Sequence, residues 1–505
     1  MRRHHWIVLF LVLASAVLLR SQRIGYDAIS LDEMWHLALS TGRGSPQLTC
    51  PADQVLRDAP AWTDLATAPP WYAAWGNMDR VLHPPLFVLT LRLWRECFGG
   101  GDLAAQWYVA AWSVATIILT FDFVRAVTGR TAPALWAAAL LAVAPTQILH
   151  AQEIRAYPML AALTAAMFGV AARIDRDGPN ARRMAILCAL MLAAMLTHYF
   201  ALGPCIAIGL WTLARTRGPA RARIAAAFAL TAIVYLAVWG PSMTRQIADI
   251  GFMTDAWLKD TATGATARTL ARALAAPARQ LVDHPSIIAS VFGLAIMAAA
   301  VGGAWRRREM TLAGVWLAST IGFLLLLDLS RQTRHLDYLR YALDAAPAVA
   351  AIVAICLWSC GRAWLLHGVC GGACAAMLAL NSWAYESDEP DYRLLREFMV
   401  ERVGPGETML FYSGPQKKGY FNEILMLAAT REPGLFPRDV VKLSARASPE
   451  LIGSLHSRTA WLFTGPLDEP VEQFLAGSRL VEKSTLFDRR FGEFVTCYHV
   501  ELPRP

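Results

Sequence analysis

The sequence predicts a polytopic, all-α membrane domain of about eleven transmembrane helices with amphipathic helices on its outer surface, followed by a small C-terminal α/β domain. Three observations predict it. Hydrophobic residues make up 56% of the 505-residue chain and charged residues only 17%, against roughly 25% in soluble domains. Apolar stretches of near-membrane length recur through residues 1–383 and stop there. Charge divides at the same place: residues 1–383 hold 21 Asp and Glu against 32 Lys and Arg, a balance of +11, whereas residues 384–505 hold 18 against 15, a balance of −3. This pattern excludes a soluble globule, a coiled coil and a disordered chain. It also argues against a nucleic-acid partner, because the excess arginine sits between apolar runs, where membrane topology accounts for it.

The spans fall near residues 6–23, 104–124, 131–149, 157–173, 184–200, 202–214, 224–240, 286–305, 310–329, 341–359 and 363–383. Short basic loops should all lie on the cytoplasmic side. Arg2 and Arg3, Arg125 and Arg130, Arg173 to Arg183, Arg215 to Arg223, Arg306 to Arg308, and Arg362 occupy every second loop from a cytoplasmic N-terminus. Residues 24–103, 150–156, 241–285, 330–340 and 384–505 then face outward, as in a multi-pass protein of a bacterial cytoplasmic (inner) membrane. Arg2, Arg3 and Ala14-Ser15-Ala16 also resemble a secretory signal peptide, but cleavage there would strand Leu18 and Leu19 at a new terminus, which favours an uncleaved helix. Residues 84–98 read as an amphipathic or half-inserted helix at the outer surface, since a crossing there would reverse every later basic loop.

The chain therefore divides into a membrane domain, 1–383, with a first outer loop at 24–103, and an outward α/β domain, 384–505. In the latter, Thr408–Ser413, Thr459–Thr464 and Phe494–Val500 read as strands and 391–402, 419–429 and 470–476 as helices. Gly414 to Gly419 lacks the spacing of a phosphate-binding loop and reads as a turn. The nine cysteines include no CxxC, which argues against a zinc site or a disulfide scaffold, although Cys50 and Cys97 flank one polar stretch and could pair in an oxidising compartment.

Chemistry-bearing residues concentrate on the outer side. Asp32 and Glu33 follow the first span; Ser30 and Glu33 have capping-box spacing, so the acids also suit a plain helix start. Glu33 and His36 form an i, i+3 pair, but the further carboxylates of a di-metal site are lacking. His83-Pro84-Pro85-Leu86 opens the surface helix, and Gln152-Glu153-Ile154-Arg155-Ala156-Tyr157 joins the third and fourth spans. Arg331, Arg334, His335, Asp337, Arg340 and Tyr341 crowd a loop before the tenth span. These outward arginines break the positive-inside pattern, and an anionic ligand or membrane lipid headgroups would account for them.

Together these four motifs, in order across residues 1–383, resemble the GT-C fold glycosyltransferases, nearest to the bacterial lipid A aminoarabinose transferase and the protein O-mannosyltransferases. The resemblance implies transfer of a sugar from a polyprenyl phosphate donor to an acceptor hydroxyl at the outer leaflet, with inversion. It implies Asp32 as base, with Glu33 beside it, and Glu153 as second acidic position. Phe87 stands where an aromatic hydroxyl is common, and the Trp- and Pro-rich residues 41–82 fall outside it.

Elementary chemistry is consistent with this. A carboxylate can take the acceptor proton as the new bond forms. A lipid phosphate is already a good leaving group and needs a cation more than an acid, unlike a glycosidase's alkoxide. Arg340 suits that role bidentately, supported by His83, Arg155, Tyr157, Arg334, His335 and Tyr341. The sequence requires no metal, and a divalent cation stays open where carboxylates converge. A transporter or flippase of lipid-linked sugars is the rival reading; it would place ionisable groups at mid-membrane, whereas Asp122 and Asp328 lie near span edges.

Overall fold

The computed structural model describes residues 2–22, 24–25, 29–44, 50–57, 61–260, 264–282, 291, 308–381, 392–404, 406–412, 439–465, 467, 469–488 and 492–503. The chain forms two compact units: residues 1–24, 78–90 and 103–385, and residues 25–77, 91–102 and 386–505.

The first unit is helical. Among the described residues, seven helices are long and apolar enough to cross a membrane: Arg3–Ser21, Asp102–Thr128, Tyr157–Asp177, Pro219–Ala248, Thr311–Arg331, Leu339–Ser359 and Ala363–Asn381. Thr131–Val143 and Tyr199–Arg215 are shorter apolar helices. Of the expected span at 286–305, all but residue 291 lies outside the described residues. Several spans are broken where the sequence reading ran them through. Proline interrupts 131–149: helix Thr131–Val143 stops at an extended Ala144, and Pro145 begins a new helix to His150, since proline suits a first turn and no interior. The tenth span opens as a 3-10 stretch, Leu339–Ala345, before the α-helix Ala346–Ser359. Pro347 cannot donate to the Leu343 carbonyl, which instead accepts from Ala346.

Arg20, fully buried at the end of the first helix, is saturated by Ser113 Oγ at 2.8 Å and the carbonyls of Ala142 and Leu141 at 2.9 and 3.1 Å. A buried guanidinium is tolerated only when so bonded. The arrangement ties Arg3–Ser21 to two neighbouring helices.

The second unit is built on a six-stranded sheet of order β1-β3-β2-β4-β6-β5. The strands are β1 (Val55–Arg57), β2 (Thr408–Tyr412), β3 (Asp439–Leu443), β4 (Thr459–Thr464), β5 (Arg479–Asp488) and β6 (Gly492–Glu501). β3, β2 and β4 are parallel, and β1, β6 and β5 add antiparallel edges. The central strands are apolar and buried on both faces, as parallel strands covered on both sides must be. Phe398 of helix Tyr392–Arg402 stands edge-on to Trp461, while Leu410, Leu462, Ile452 and Phe474 share a core cluster. Helices expected at 391–402 and 470–476 form at Tyr392–Arg402 and Val471–Phe474. The expected helix at 419–429 and the turn at 414–419 lie outside the described residues.

Described residues between Leu37 and Pro69 gather around two arginines, Arg92 and Arg95, of helix Leu86–Phe98. Arg92 donates to the carbonyls of Thr41 (2.9 Å) and Pro69 (3.1 Å), and Arg95 to Leu37 (3.1 Å), Thr63 (2.6 Å) and Ser40 Oγ (2.7 Å). Both are buried, so the basic face of this helix organises the preceding loop. Gly42 ends helix Leu31–Thr41 at φ +81°, where a Cβ would meet Ala73 Cβ at 3.1 Å. Cys50 and Cys97, which could have paired across their polar stretch, do not: both thiols are free, Cys50 buried and Cys97 exposed.

Candidate functional site

In the first unit, residues from four separate loops converge at one end of the helices. Helix Tyr157–Asp177 begins with Pro158 in its first turn, which presents Tyr157 at the mouth of the span. Its ring lies 5.8 Å from that of Tyr341 and 5.3 Å from that of His198. His198 in turn lies 5.5 Å from His83, and Tyr341 lies 5.6 Å from His335. Phe200 fills the centre, 4.5, 5.3 and 5.7 Å from His198, Tyr341 and His335.

Two guanidiniums flank this platform. Arg155 sits 5.5 Å over the Tyr157 ring and donates to its hydroxyl at 3.3 Å. Arg340 sits 5.4 and 5.6 Å over Tyr338 and Tyr341. The 3-10 winding of Leu339–Ala345 places successive residues 340 and 341 beside the platform. Glu153 accepts from His150 Nδ1 at 2.9 Å. Burial pushes its carboxyl up in pKa, but the His150 ring and the Arg340 charge outweigh burial and hold it below the ordinary glutamate range.

His335 is oriented from behind. Buried Asp328 takes four donors: Thr333 Oγ1 at 2.8 Å, His335 N at 2.8 Å and His335 Nδ1 at 2.7 Å on Oδ1, and Leu336 N at 3.0 Å on Oδ2. A carboxylate on Nδ1 selects the tautomer whose lone pair is on Nε2. Arg334 is anchored through its backbone N–H to Leu258 O at 3.0 Å and is half-buried. His83 is held through its carbonyl, which accepts from Gln246 Nε2 at 3.4 Å; the same amide donates to Met78 O at 2.6 Å, and Gln246 Oε1 accepts from Tyr199.

The first unit thus brings together seven of the sequence-derived residues: His83, Glu153, Arg155, Tyr157, His335, Arg340 and Tyr341. Sequence reading passed over His198, Phe200, His150 and the role of Asp328. His198 had been absorbed into a continuous span. The helix in fact ends at Thr197, and His198 is extended, its Nδ1 capping Phe200 N at 3.2 Å. A histidine inside an apolar run was the available signal. Phe87 is buried 5.6 Å from the Tyr108 ring, whose hydroxyl bonds Thr90 at 2.6 Å.

Asp32 and Glu33 lie in the second unit, in the first turn of Leu31–Thr41. The capping box forms: Glu33 Oε2 accepts from Ser30 N at 2.8 Å and Ser30 Oγ from Glu33 N at 3.4 Å. Asp32 is half-buried. His36 donates through Nδ1 to the Asp32 carbonyl at 2.6 Å, and burial brings its pKa down to about 4, so it is neutral at pH 7. Among the described residues no group of three or more His, Cys, Asp and Glu side chains converges, so they assemble no such donor set for a divalent metal.

These features define a multi-pass membrane protein with the GT-C fold. The structure of ArnT from Cupriavidus metallidurans in the apo state aligns with 98% of this chain and 97% of its own, at 16% identity and a TM-score of 0.57. The same protein bound to undecaprenyl phosphate aligns over 98% of both chains at 15% identity and a TM-score of 0.58. The archaeal oligosaccharyltransferase AglB from Archaeoglobus fulgidus, in complex with an inhibitory peptide and a dolichol-phosphate, aligns over 91% of this chain and 69% of that one at 12% identity, with a TM-score of 0.48. No family model and no curated protein sequence matches the chain.

Proposed function

We propose that this chain is an integral membrane glycosyltransferase that moves a sugar from a polyprenyl phosphate to an acceptor hydroxyl of a glycolipid, polysaccharide or protein. It acts on the outer face of a bacterial inner membrane, with residues 384–505 outward. One observation carries the reading: Arg155 and Arg340 flank the Tyr157–Tyr341 platform at the mouth of apolar helices, in a fold that a structure bound to undecaprenyl phosphate shares over 98% of the chain. A bound prenyl tail would lie along apolar helices and its phosphate at their ends.

In this reading Arg340 and Arg155 take the donor phosphate, with His335 Nε2, His83, Arg334 and the tyrosine hydroxyls completing its surroundings. The acceptor oxygen attacks the anomeric carbon from the face opposite the phosphate. The carbon–oxygen bond to phosphate breaks, the electron pair leaves on polyprenyl phosphate, and the acceptor proton passes to a carboxylate. A single displacement inverts the configuration. Asp32 is the proposed base, because Glu33 commits an oxygen to the Ser30 amide. Glu153, paired with His150 and close to the Arg340 charge, positions that guanidinium and balances it.

The test is the full-length protein in phosphatidylcholine nanodiscs. It should retain a lipid-linked sugar detectable by native mass spectrometry and, with acceptor, release free polyprenyl phosphate. Transbilayer movement of the lipid with its sugar bond intact would replace the transferase by a flippase.

A further inference from the structure

The first unit holds a polar recess at the opposite end of helix Tyr157–Asp177 from the candidate site. A 21-residue helix is about 32 Å long, so the two lie roughly one hydrocarbon thickness apart. The recess has a volume of about 300 Å³ and lies among the ends of Tyr157–Asp177 and Leu202–Arg215 and the start of Pro219–Trp257. It sits where the basic loops 173–183 and 215–223 leave the helices.

Two of its lining residues carry a buried polar atom without a partner. Thr212 is 2% exposed, and its Oγ1 has no hydrogen-bond partner; the buried Trp211 Nε1 has none either. Buried polar groups without partners are uncommon and call for an explanation. Thr216, one turn on, shows the contrast: its hydroxyl bonds back to the Thr212 carbonyl at 2.8 Å. Arg215 is fixed over the Trp211 ring at 5.0 Å and by Asp175 at 2.7 and 3.3 Å. Arg217 also lines the recess, is exposed, and among the described residues has no carboxylate partner. Arg215, Arg217 and Asp175 leave the recess with a net charge of +1.

We propose that this recess binds a phosphate ester. An indole N–H can only donate, as can a guanidinium, and a hydroxyl can donate, so the complementary ligand is rich in acceptor oxygens and anionic. Thr212 Oγ1 and Trp211 Nε1 donate to phosphate oxygens, and Arg217 supplies the charge. The source is the headgroup of an anionic phospholipid or a small soluble phosphate ester. A basic recess between helix ends, with a tryptophan at its rim, has the composition of a lipid-headgroup site. The inference is independent of the transferase reading.

The probes are vesicles of phosphatidylcholine with or without phosphatidylglycerol, and sn-glycerol 3-phosphate. Full-length protein exchanged against the mixed vesicles should retain phosphatidylglycerol in native mass spectra and gain thermal stability relative to phosphatidylcholine alone. Thr212→Val and Arg217→Glu should each cut that retention about tenfold, as expected for one lost charge-assisted bond, and Trp211→Phe should cut it while keeping the ring over which Arg215 sits. Arg182→Glu, which changes a basic residue outside the recess, should leave retention unchanged. Displacement of the lipid by sn-glycerol 3-phosphate identifies a soluble ester as sufficient; failure to displace identifies the lipid as the ligand. Equal retention by wild type, Thr212→Val and Arg217→Glu, or equal loss in Arg182→Glu, would overturn the proposal.

Discussion

Asp328 holds His335 through the ring and through the backbone at once, taking Nδ1 at 2.7 Å and the amide at 2.8 Å on the same oxygen. Four donors meet this one carboxylate, so an amide of the same size cannot replace it: Asp328→Asn would turn two N–H donors toward groups that also donate. A buried donor left unpaired costs about 1–3 kcal/mol. Asp328→Asn should therefore lower thermal stability in detergent and weaken donor use together. An unchanged melting temperature would show that the pair does not hold the loop.

Glu153 gives a pH signature. Its folded pKa lies below the ordinary value, so the stability it contributes is present above the unfolded value of about 4.3 and is lost as pH falls through the lower folded one. Melting temperatures of wild type and Glu153→Gln should differ at pH 6 and draw together as pH falls below about 4.3. Parallel curves across that window would count against the His150 hydrogen bond and the Arg340 charge as what holds this carboxylate ionised.

Asp32 and the cap of Leu31–Thr41 should separate by assay. Asp32→Asn should keep donor binding and cost about 10²-fold or more in transfer, the loss of a general base. Ser30→Ala should cost about 1 kcal/mol of stability through the lost cap and leave turnover near wild type. Wild-type transfer by Asp32→Asn would leave Asp32 as part of the helix start only, and Glu33→Gln and Glu153→Gln would then test the remaining carboxylates.

At Arg340 the charge and the fork can be separated. Lysine keeps the first and loses the second, so Arg340→Lys should retain part of the activity and Arg340→Ala very little. Charge-assisted bonds of roughly 1.5–3 kcal/mol predict about ten- to a hundredfold weaker donor use in the alanine variant. Donor titrations decide it, and an unchanged donor dependence would remove Arg340 from the site.

Sidedness can be read with the native thiols. Cys97 and Cys360 are both exposed, and the proposed topology places them on opposite faces of the membrane. An impermeant maleimide added to intact spheroplasts should label Cys97 and spare Cys360 until the membrane is opened, with Cys97→Ser and Cys360→Ser assigning the signals. Labelling of Cys360 alone would invert the topology.

Much of this was legible in the sequence because membranes impose local rules. A run of apolar residues bounded by charge declares itself without knowledge of its neighbours, which is why Glu153, Arg155, Tyr157, Arg340 and Tyr341 stood out in loops too short to need charges. His198 and Asp328 did not, since each sits at the edge of an apolar run and its role depends on a ring or a backbone several residues away. β1 was invisible for another reason: three residues, Val55–Arg57, carry no period, and their strand character comes wholly from a partner far along the chain. Likewise nothing local says that Arg92 and Arg95 point at carbonyls of residues 37–69.

That distant partner bears on biogenesis. Val55–Arg57 pairs with Asp439–Leu443, and 381 residues lie between Arg57 and Asp439. At about 5–20 residues per second, the ribosome takes on the order of 20–80 s to deliver the second strand after the first. Throughout that interval the strand's amides and carbonyls await their ladder, while the helices between are being inserted one after another. The sheet is consequently a late-closing clasp: a chain released before residue 439 carries its early loop without the strand that completes it.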